Sequence, residues 1–184
     1  QNLFDRYISG WRKDKSLLKR AAIIPTDEIW EAHQSSKKQL LNYIKNSHKI
    51  DWGEKILTIG FARRFTNYKQ PLLLFSDVER LLDILESEGL AQIVVAGKAH
   101  RRDVSGREAI KKIYQIKKQY PQLKIVFLEN YDLDLARLLV AGVDIWLNTP
   151  LPPQEACGTS GMKTAHNGVP QLSTLDGWWP EGYV

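Results

Sequence analysis

The run Lys55-Ile56-Leu57-Thr58-Ile59-Gly60-Phe61 decides the fold. Its apolar residues follow one another with little alternation, and several are β-branched or aromatic. Such a segment reads as a strand buried on both faces. Three similar runs follow: Gln92-Ile93-Val94-Val95-Ala96, Leu123-Lys124-Ile125-Val126-Phe127-Leu128 and Val143-Asp144-Ile145-Trp146-Leu147. Val169 to Ser173 reads as a fifth strand. Between them, residues 72–85, 106–119 and 133–141 carry the spacing of amphipathic helices, and 161–167 that of a shorter one. Strand and helix alternate, which predicts an α/β fold built on a parallel sheet with helices on both faces.

Upstream, Thr26 and Asp27 after Pro25 mark a helix start. Ile29, Trp30, His33, Leu40, Leu41 and Ile44 fit one face of a helix running to about residue 47, with Lys37, Lys38 and Lys45 on its wet side. Trp11 and the Leu17-Leu18 pair are the expected anchors of the first 25 residues. A soft boundary near residue 52 divides a helical segment, 1–52, from an α/β unit, 53–184.

The chain has 184 residues, enough for one domain with a real core. Its 43% hydrophobic and 26% charged residues are those of a soluble globular protein. No apolar run is long enough to span a membrane. A single cysteine, Cys157, excludes an internal disulfide and points to a reducing, cytoplasmic setting. The net charge of +5 suits an anionic small-molecule substrate. The one methionine is Met162, so Gln1 is not a translation start and the chain is expected to be a piece of a longer protein. The aromatic run Trp178 to Val184 is expected to seek a partner surface and to continue.

In an open parallel sheet, ligands bind outside the carboxyl ends of the strands. The polar clusters fall there. Ala62-Arg63-Arg64-Phe65-Thr66-Asn67-Tyr68-Lys69 follows the first strand, Gly97-Lys98-Ala99-His100 the second, Glu129-Asn130-Tyr131-Asp132 the third and Asn148-Thr149-Pro150 the fourth. Beyond the last lies Glu155-Ala156-Cys157-Gly158-Thr159-Ser160-Gly161-Met162-Lys163. Its small residues before a helix read as a phosphate seat with a lysine beside it. Arg63, Arg64 and Lys69 form a cationic group around one turn, suited to a phosphate. No His, Cys and carboxylate set has metal-ligand spacing, and no Gly-X-Gly-X-X-Gly follows a strand.

The segment Glu155–Lys163, with Asn167-Gly168 and Leu175-Asp176-Gly177, closely resembles the α-glucan (glycogen, starch, maltodextrin) phosphorylases. Gly60–Lys69, Ala96–Ala99 and Phe127–Tyr131 match in the same order, and Trp178-Trp179 resembles the shorter bacterial and archaeal type. The resemblance covers about residues 20 to 184. It implies the Rossmann-like C-terminal half of a two-domain glycosyltransferase-B enzyme, whose N-terminal half is missing here. The implied reaction is reversible phosphorolysis of a terminal α-1,4-linked glucose to glucose 1-phosphate with retention. The resemblance makes Lys163 the residue that holds pyridoxal phosphate as an imine, with Thr159, Ser160 and Arg63 on the cofactor phosphate and Tyr131 lining the cofactor. It makes Arg64 and Lys69 the catalytic pair on substrate phosphate, and Glu155, Ala156, Cys157 and Gly158 the segment that holds the glucosyl hydroxyls. Two positions depart from the pattern. Cys157 stands where serine is frequent, and Asp132 where the animal enzymes carry arginine.

The implied partners are α-glucan, inorganic phosphate or glucose 1-phosphate, and the missing half of the enzyme, without which the piece is expected to be inactive. A nucleotide-sugar-dependent retaining glycosyltransferase is the nearest alternative. Such enzymes often carry an acid where this chain has Lys163. A non-catalytic glucan-binding module would use Trp178 and Trp179 but leaves Lys163 and the Arg64–Lys69 pair without a role. Nucleic-acid binding fits least, because the basic residues are scattered.

Overall fold

The structure, a computed structural model, describes residues 2–182. Tyr183 and Val184, the end of the aromatic run, lie outside the described residues. Five strands form one sheet: β1 (Leu57–Phe65), β2 (Ala91–Ala99), β3 (Lys124–Leu128), β4 (Ile145–Asn148) and β5 (Gln171–Ser173). The order is β3-β2-β1-β4-β5 and every pairing is parallel. Helices α3 (Val78–Glu88) and α4 (Val104–Gln119) connect β1, β2 and β3, and α5 (Leu133–Gly142) connects β3 to β4. The other α-helices among the described residues are α1 (Asn2–Tyr7), α2 (Thr26–His48), α6 (Thr159–Ala165) and the short α7 (Trp179–Gly182), and a 3-10 helix spans Lys15–Ile23.

Strand side chains alternate between faces, and here both faces are dry. Phe61, Phe65, Ile93, Val95, Ile125, Phe127 and Leu147 pack on one side with Ala109, Ile113 and Ile116 of α4. Ala62, Val94, Ala96, Val126, Leu128 and Trp146 pack on the other with Leu40, Leu41 and Ile44 of α2 and Leu135, Leu139 and Val140 of α5. The continuous apolar runs are therefore two interleaved sets, one for each core. At the chain start, Ile8 and Ile24 are the buried anchors, whereas Trp11, Leu17 and Leu18 are only half-buried.

Several boundaries differ from the sequence reading. β1 continues through Ala62-Arg63-Arg64-Phe65, paired residue for residue with Ala96 to Ala99, so both arginines belong to a strand and not to a turn. The ladder tolerates them because Arg63 finds a buried acid and Arg64 reaches solvent. The expected helix 72–85 is a short 3-10 turn, Leu73–Phe75, followed by α3. Asp77 breaks the two apart by capping α3, its carboxylate accepting from the Arg80 amide at 2.9 Å. Asp103 caps α4 in the same way through Gly106, so that helix starts earlier than expected.

Lys37 is the clearest correction. It sits on the inner face of α2 and is buried, not on the wet side. Its Nζ donates to Asp144 Oδ2 at 2.6 Å and to the Ile56 carbonyl at 2.8 Å. Asp144 Oδ1 is 2.7 Å from His33 Nε2, and Oδ2 also accepts from the Thr58 amide at 2.6 Å. A buried acid is tolerated only when so surrounded. The cluster ties α2 to the amino ends of β1 and β4 and gives His33 a structural partner that the sequence reading missed.

Candidate active site

The order β3-β2-β1-β4-β5 reverses direction between β1 and β4. These strands pair only at Ile59 with Ile145 and Gly60 with Trp146, so their carboxyl ends part. A crevice at such a reversal is where ligands bind in open α/β sheets. Three candidate residues meet in it. Arg63, near the end of β1, donates from Nη2 to Glu155 Oε2 at 2.6 Å. Lys69, from the 3-10 turn Asn67–Lys69, donates to the same oxygen. All three side chains are less than a tenth exposed.

Two cations thus face one carboxylate in a water-poor setting, a net positive site. Arg63 Nη1 is buried without a hydrogen-bond partner. Burial pulls the Arg63 pKa down, and the Glu155 charge opposes that shift. Tyr131 is half-buried nearby. Burial pushes its phenol up, and the positive charge of Arg63 opposes that. The Lys69 ammonium also lies 4.5 Å from the ring centre of Tyr68.

Glu155 is held from behind by a turn at the end of β5. Its amide donates to Asp176 Oδ2 at 2.8 Å. The Trp178 amide donates to the Cys157 carbonyl at 2.8 Å. Gly177 has φ +62, and a Cβ there would stand 2.5 Å from the Cys157 carbonyl oxygen. Gly158, φ +82, then turns the chain into α6, with Trp178 against it. Ala156 and Cys157 are exposed between these fixed points.

Lys163 lies on α6, one turn beyond Thr159 and on the same side. Both are exposed and Ser160 is half-buried. Gln171 of β5 ties the helix down by donating to the Gly161 carbonyl at 3.1 Å, and the buried Thr164 hydroxyl donates to the same carbonyl within the helix at 2.8 Å. Lys163 lines a cavity of about 610 Å³ with Trp11, Leu18, Val140, Lys15 and Arg137. No acidic residue lines this cavity, but of the candidate residues only Lys163 does; Thr159, Ser160, Arg63 and Tyr131 lie outside it. A larger cavity of about 840 Å³, between the 66–76 segment and α4, contains none of the candidate residues.

Arg64 stands apart. Alternation along β1 turns it to the face of Ala62, opposite Arg63, and it is exposed beside Lys98 in register. Lys69 is therefore brought together with Arg63 and not with Arg64. Lys98 and His100 are exposed, and Glu129 accepts from the Tyr114 hydroxyl at 3.0 Å. Asp132 has a local task at the start of α5, accepting from the Leu135 amide at 2.9 Å. Asp176 and Lys37 carry geometry that the sequence reading did not assign. A charged residue inside an apolar strand, Asp144, was the available signal for the second.

Among the described residues, no group of three His, Cys, Asp or Glu is placed to hold a metal ion. No helix there is long and apolar enough to cross a membrane. A family model for carbohydrate phosphorylases matches residues 3–179. The chain is 47% identical to a glycogen phosphorylase of Aquifex aeolicus over 92% of its length and 27% of that protein's. It is 44% identical to a maltodextrin phosphorylase of Thermococcus litoralis over all of its length and 24% of that protein's. A Mycobacterium tuberculosis glycogen phosphorylase is 48% identical over 70% of the chain and 15% of its own length. The chain thus spans about a quarter of the length of the first two relatives, and with the family model matching nearly all of it, it belongs to the carbohydrate phosphorylase family.

Proposed function

We propose that this chain is the phosphate- and cofactor-binding part of an α-glucan phosphorylase, which moves a terminal α-1,4-linked glucose to inorganic phosphate with retained configuration. The observation that carries the reading is the Arg63–Glu155–Lys69 cluster at the parting of β1 and β4. It puts fixed positive charge next to an acid that can accept from sugar hydroxyls.

In this reading Lys69 holds substrate phosphate, and Arg64, exposed on the opposite face of β1, would have to turn toward it for the two to act as a pair. Glu155, Ala156, Cys157 and Gly158 hold the glucosyl unit. A cleaving glycosidic bond leaves an oxocarbenium-like sugar, and an anion held below it lowers that barrier. The phosphate oxygen forms the new bond to the anomeric carbon as the glycosidic C–O bond breaks. The proton carried by the attacking phosphate goes to the departing glucan oxygen. Atoms and charge then balance as glucose 1-phosphate and a glucan shorter by one unit. The short lever from Lys69 to Glu155 keeps sugar and phosphate in adjoining positions.

Pyridoxal phosphate fits the residues present. Lys163 would carry it, with Thr159, Ser160 and Arg63 toward its phosphate and Tyr131 along its side. The buried, unpartnered Arg63 Nη1, with Tyr131 near it, supports that fit. When bound, this group supplies a phosphate that titrates near neutral pH and can exchange a proton with the substrate phosphate. We place the enzyme in a reducing, cytoplasmic setting, as expected from its single cysteine. The chain spans about a quarter of the length of its first two relatives, so we expect activity only with the rest of the enzyme.

The test is incubation of the full-length enzyme with pyridoxal phosphate, borohydride reduction and peptide mass mapping, beside an assay on maltodextrin. A single stable adduct on the Lys163 peptide and phosphate-dependent release of glucose 1-phosphate are expected. No adduct, together with glucosyl transfer from a nucleotide sugar, would overturn the reading in favour of a retaining glycosyltransferase.

A further inference from the structure

Asp176 is a buried carboxylate that takes part in none of the ion pairs among the described residues. Its two oxygens accept from two amides. Oδ2 takes the Glu155 N–H at 2.8 Å, and Oδ1 takes the N–H of its neighbour Gly177 at 2.9 Å. Burying a carboxylate against amides alone is costly, and a neutral residue could fill a turn at less expense. What the charge gains is a firm hold on one backbone atom, that of Glu155, 21 residues away in sequence.

The surroundings remove the alternatives open to that loop. Gly177 leaves no space beside the Cys157 carbonyl, and the Trp178 amide bonds to that carbonyl. The 155–158 loop therefore moves as one body with the 176–178 turn. The Glu155 side chain starts from a pinned amide and ends on Arg63 and Lys69. We infer that Asp176 is a positioning residue that aims Glu155 at the Arg63–Lys69 pair, so that Glu155 competes with phosphate for those cations until a glucosyl unit draws it away. This rests on the reading of Lys69 as a phosphate ligand and Glu155 as a sugar ligand.

The consequence is a divergence between binding and turnover. Loosening Glu155 frees the cations, so phosphate binds more tightly. It also removes the aim of the sugar ligand, so turnover falls. A turn that merely stabilised the fold would move both in the same direction, or neither. The experiment uses the full-length enzyme and calorimetric titration with inorganic phosphate, alongside kcat on maltodextrin. For Asp176→Ala we expect phosphate affinity to rise about threefold to tenfold while kcat falls at least tenfold. Asp176→Asn keeps the volume and one acceptor and should lie between. It also carries the comparison if the alanine variant does not fold. In a Glu155→Gln background, already relieved of the competing charge, Asp176→Ala should change phosphate affinity by less than twofold.

An enzyme that binds no phosphate and releases no glucose 1-phosphate would overturn the proposed function and this inference together. An enzyme that does both, with the same phosphate affinity in wild type and in the Asp176 variants, would overturn this inference alone. So would an equal change with and without Glu155→Gln.

Discussion

Lys37 Nζ lies 2.6 Å from Asp144 Oδ2, beneath α2 and at the end of the sheet opposite Glu155. The pair is nearly closed to solvent, and each partner has further hydrogen bonds. Removing one side of such a pair leaves an uncompensated buried charge. Lys37→Ala should therefore cost about 3–5 kcal/mol of folding stability. Urea unfolding of the chain measures it, and a cost below about 1 kcal/mol would contradict the burial seen here.

Acid should find the same cluster. Burial would raise the Asp144 pKa, but hydrogen bonds from His33, Lys37 and the Thr58 amide outweigh it and hold the carboxyl below its ordinary value. A depressed folded pKa means stability that is fully present above the unfolded value, about 3.9, and lost as pH falls through the folded one. Stability should thus decline on acidification below about pH 4. Asp144→Asn should start lower and show a shallower decline, read as the slope of unfolding free energy against pH.

Gly177→Ala asks for a methyl group 2.5 Å from the Cys157 carbonyl oxygen, at a φ of +62. The left-handed backbone alone costs about 1–2 kcal/mol, and the clash must displace the 155–158 loop. In the full-length enzyme the expected result is a loss of turnover larger than the loss of thermal stability explains. Equal activity at saturating substrate would show that the loop tolerates the shift.

Leu139→Ala probes the contact between α5 and α2. Leu139 is wholly buried in the core that includes Leu40, Leu41 and Ile44. Deleting its side chain should cost about 2–5 kcal/mol. Circular dichroism melts and urea titration would read the shift.

Cys157→Ser, by contrast, alters an exposed side chain in a loop fixed through its backbone. Surface changes of this kind stay within about 0.5 kcal/mol. Stability should not move, and any change in KM for glucan would report a direct contact of the hydroxyl or thiol with sugar.

Much of this architecture was legible in the chain because parallel strands announce themselves. Ile93-Val94-Val95 admits no solvent face, and the helices between such runs have room on both sides. The ends were harder. Arg63 and Arg64 read as a loop because charge argues against a buried strand, yet the partner that neutralises Arg63 lies 92 residues away. Lys37 read as solvated for the same reason, since Asp144 is 107 residues distant. At the site, residue types could nominate Lys163, beside a seat of small residues, and Lys69, in a cationic group with Arg63 and Arg64, whereas Glu155 is named only through the resemblance. They could not pair Lys69 with Arg63 over Arg64. That choice depends on which face of β1 each arginine occupies, and strand alternation settles it only once the strand is known to reach Phe65.

The strand order carries a further consequence, for the order in which the molecule comes together. β1, β2 and β3 with α3 and α4 are neighbours in the chain as well as in space, so their contacts close short loops. β4 must return across that whole unit to lie against β1, and long-range pairing of this kind is slow. Arg63 and Lys69 belong to the first part and Glu155 to the second, 92 and 86 residues away. The cluster is therefore complete only when both parts have docked. A signal placed at Glu155 during refolding would time the last assembly event rather than the collapse that precedes it.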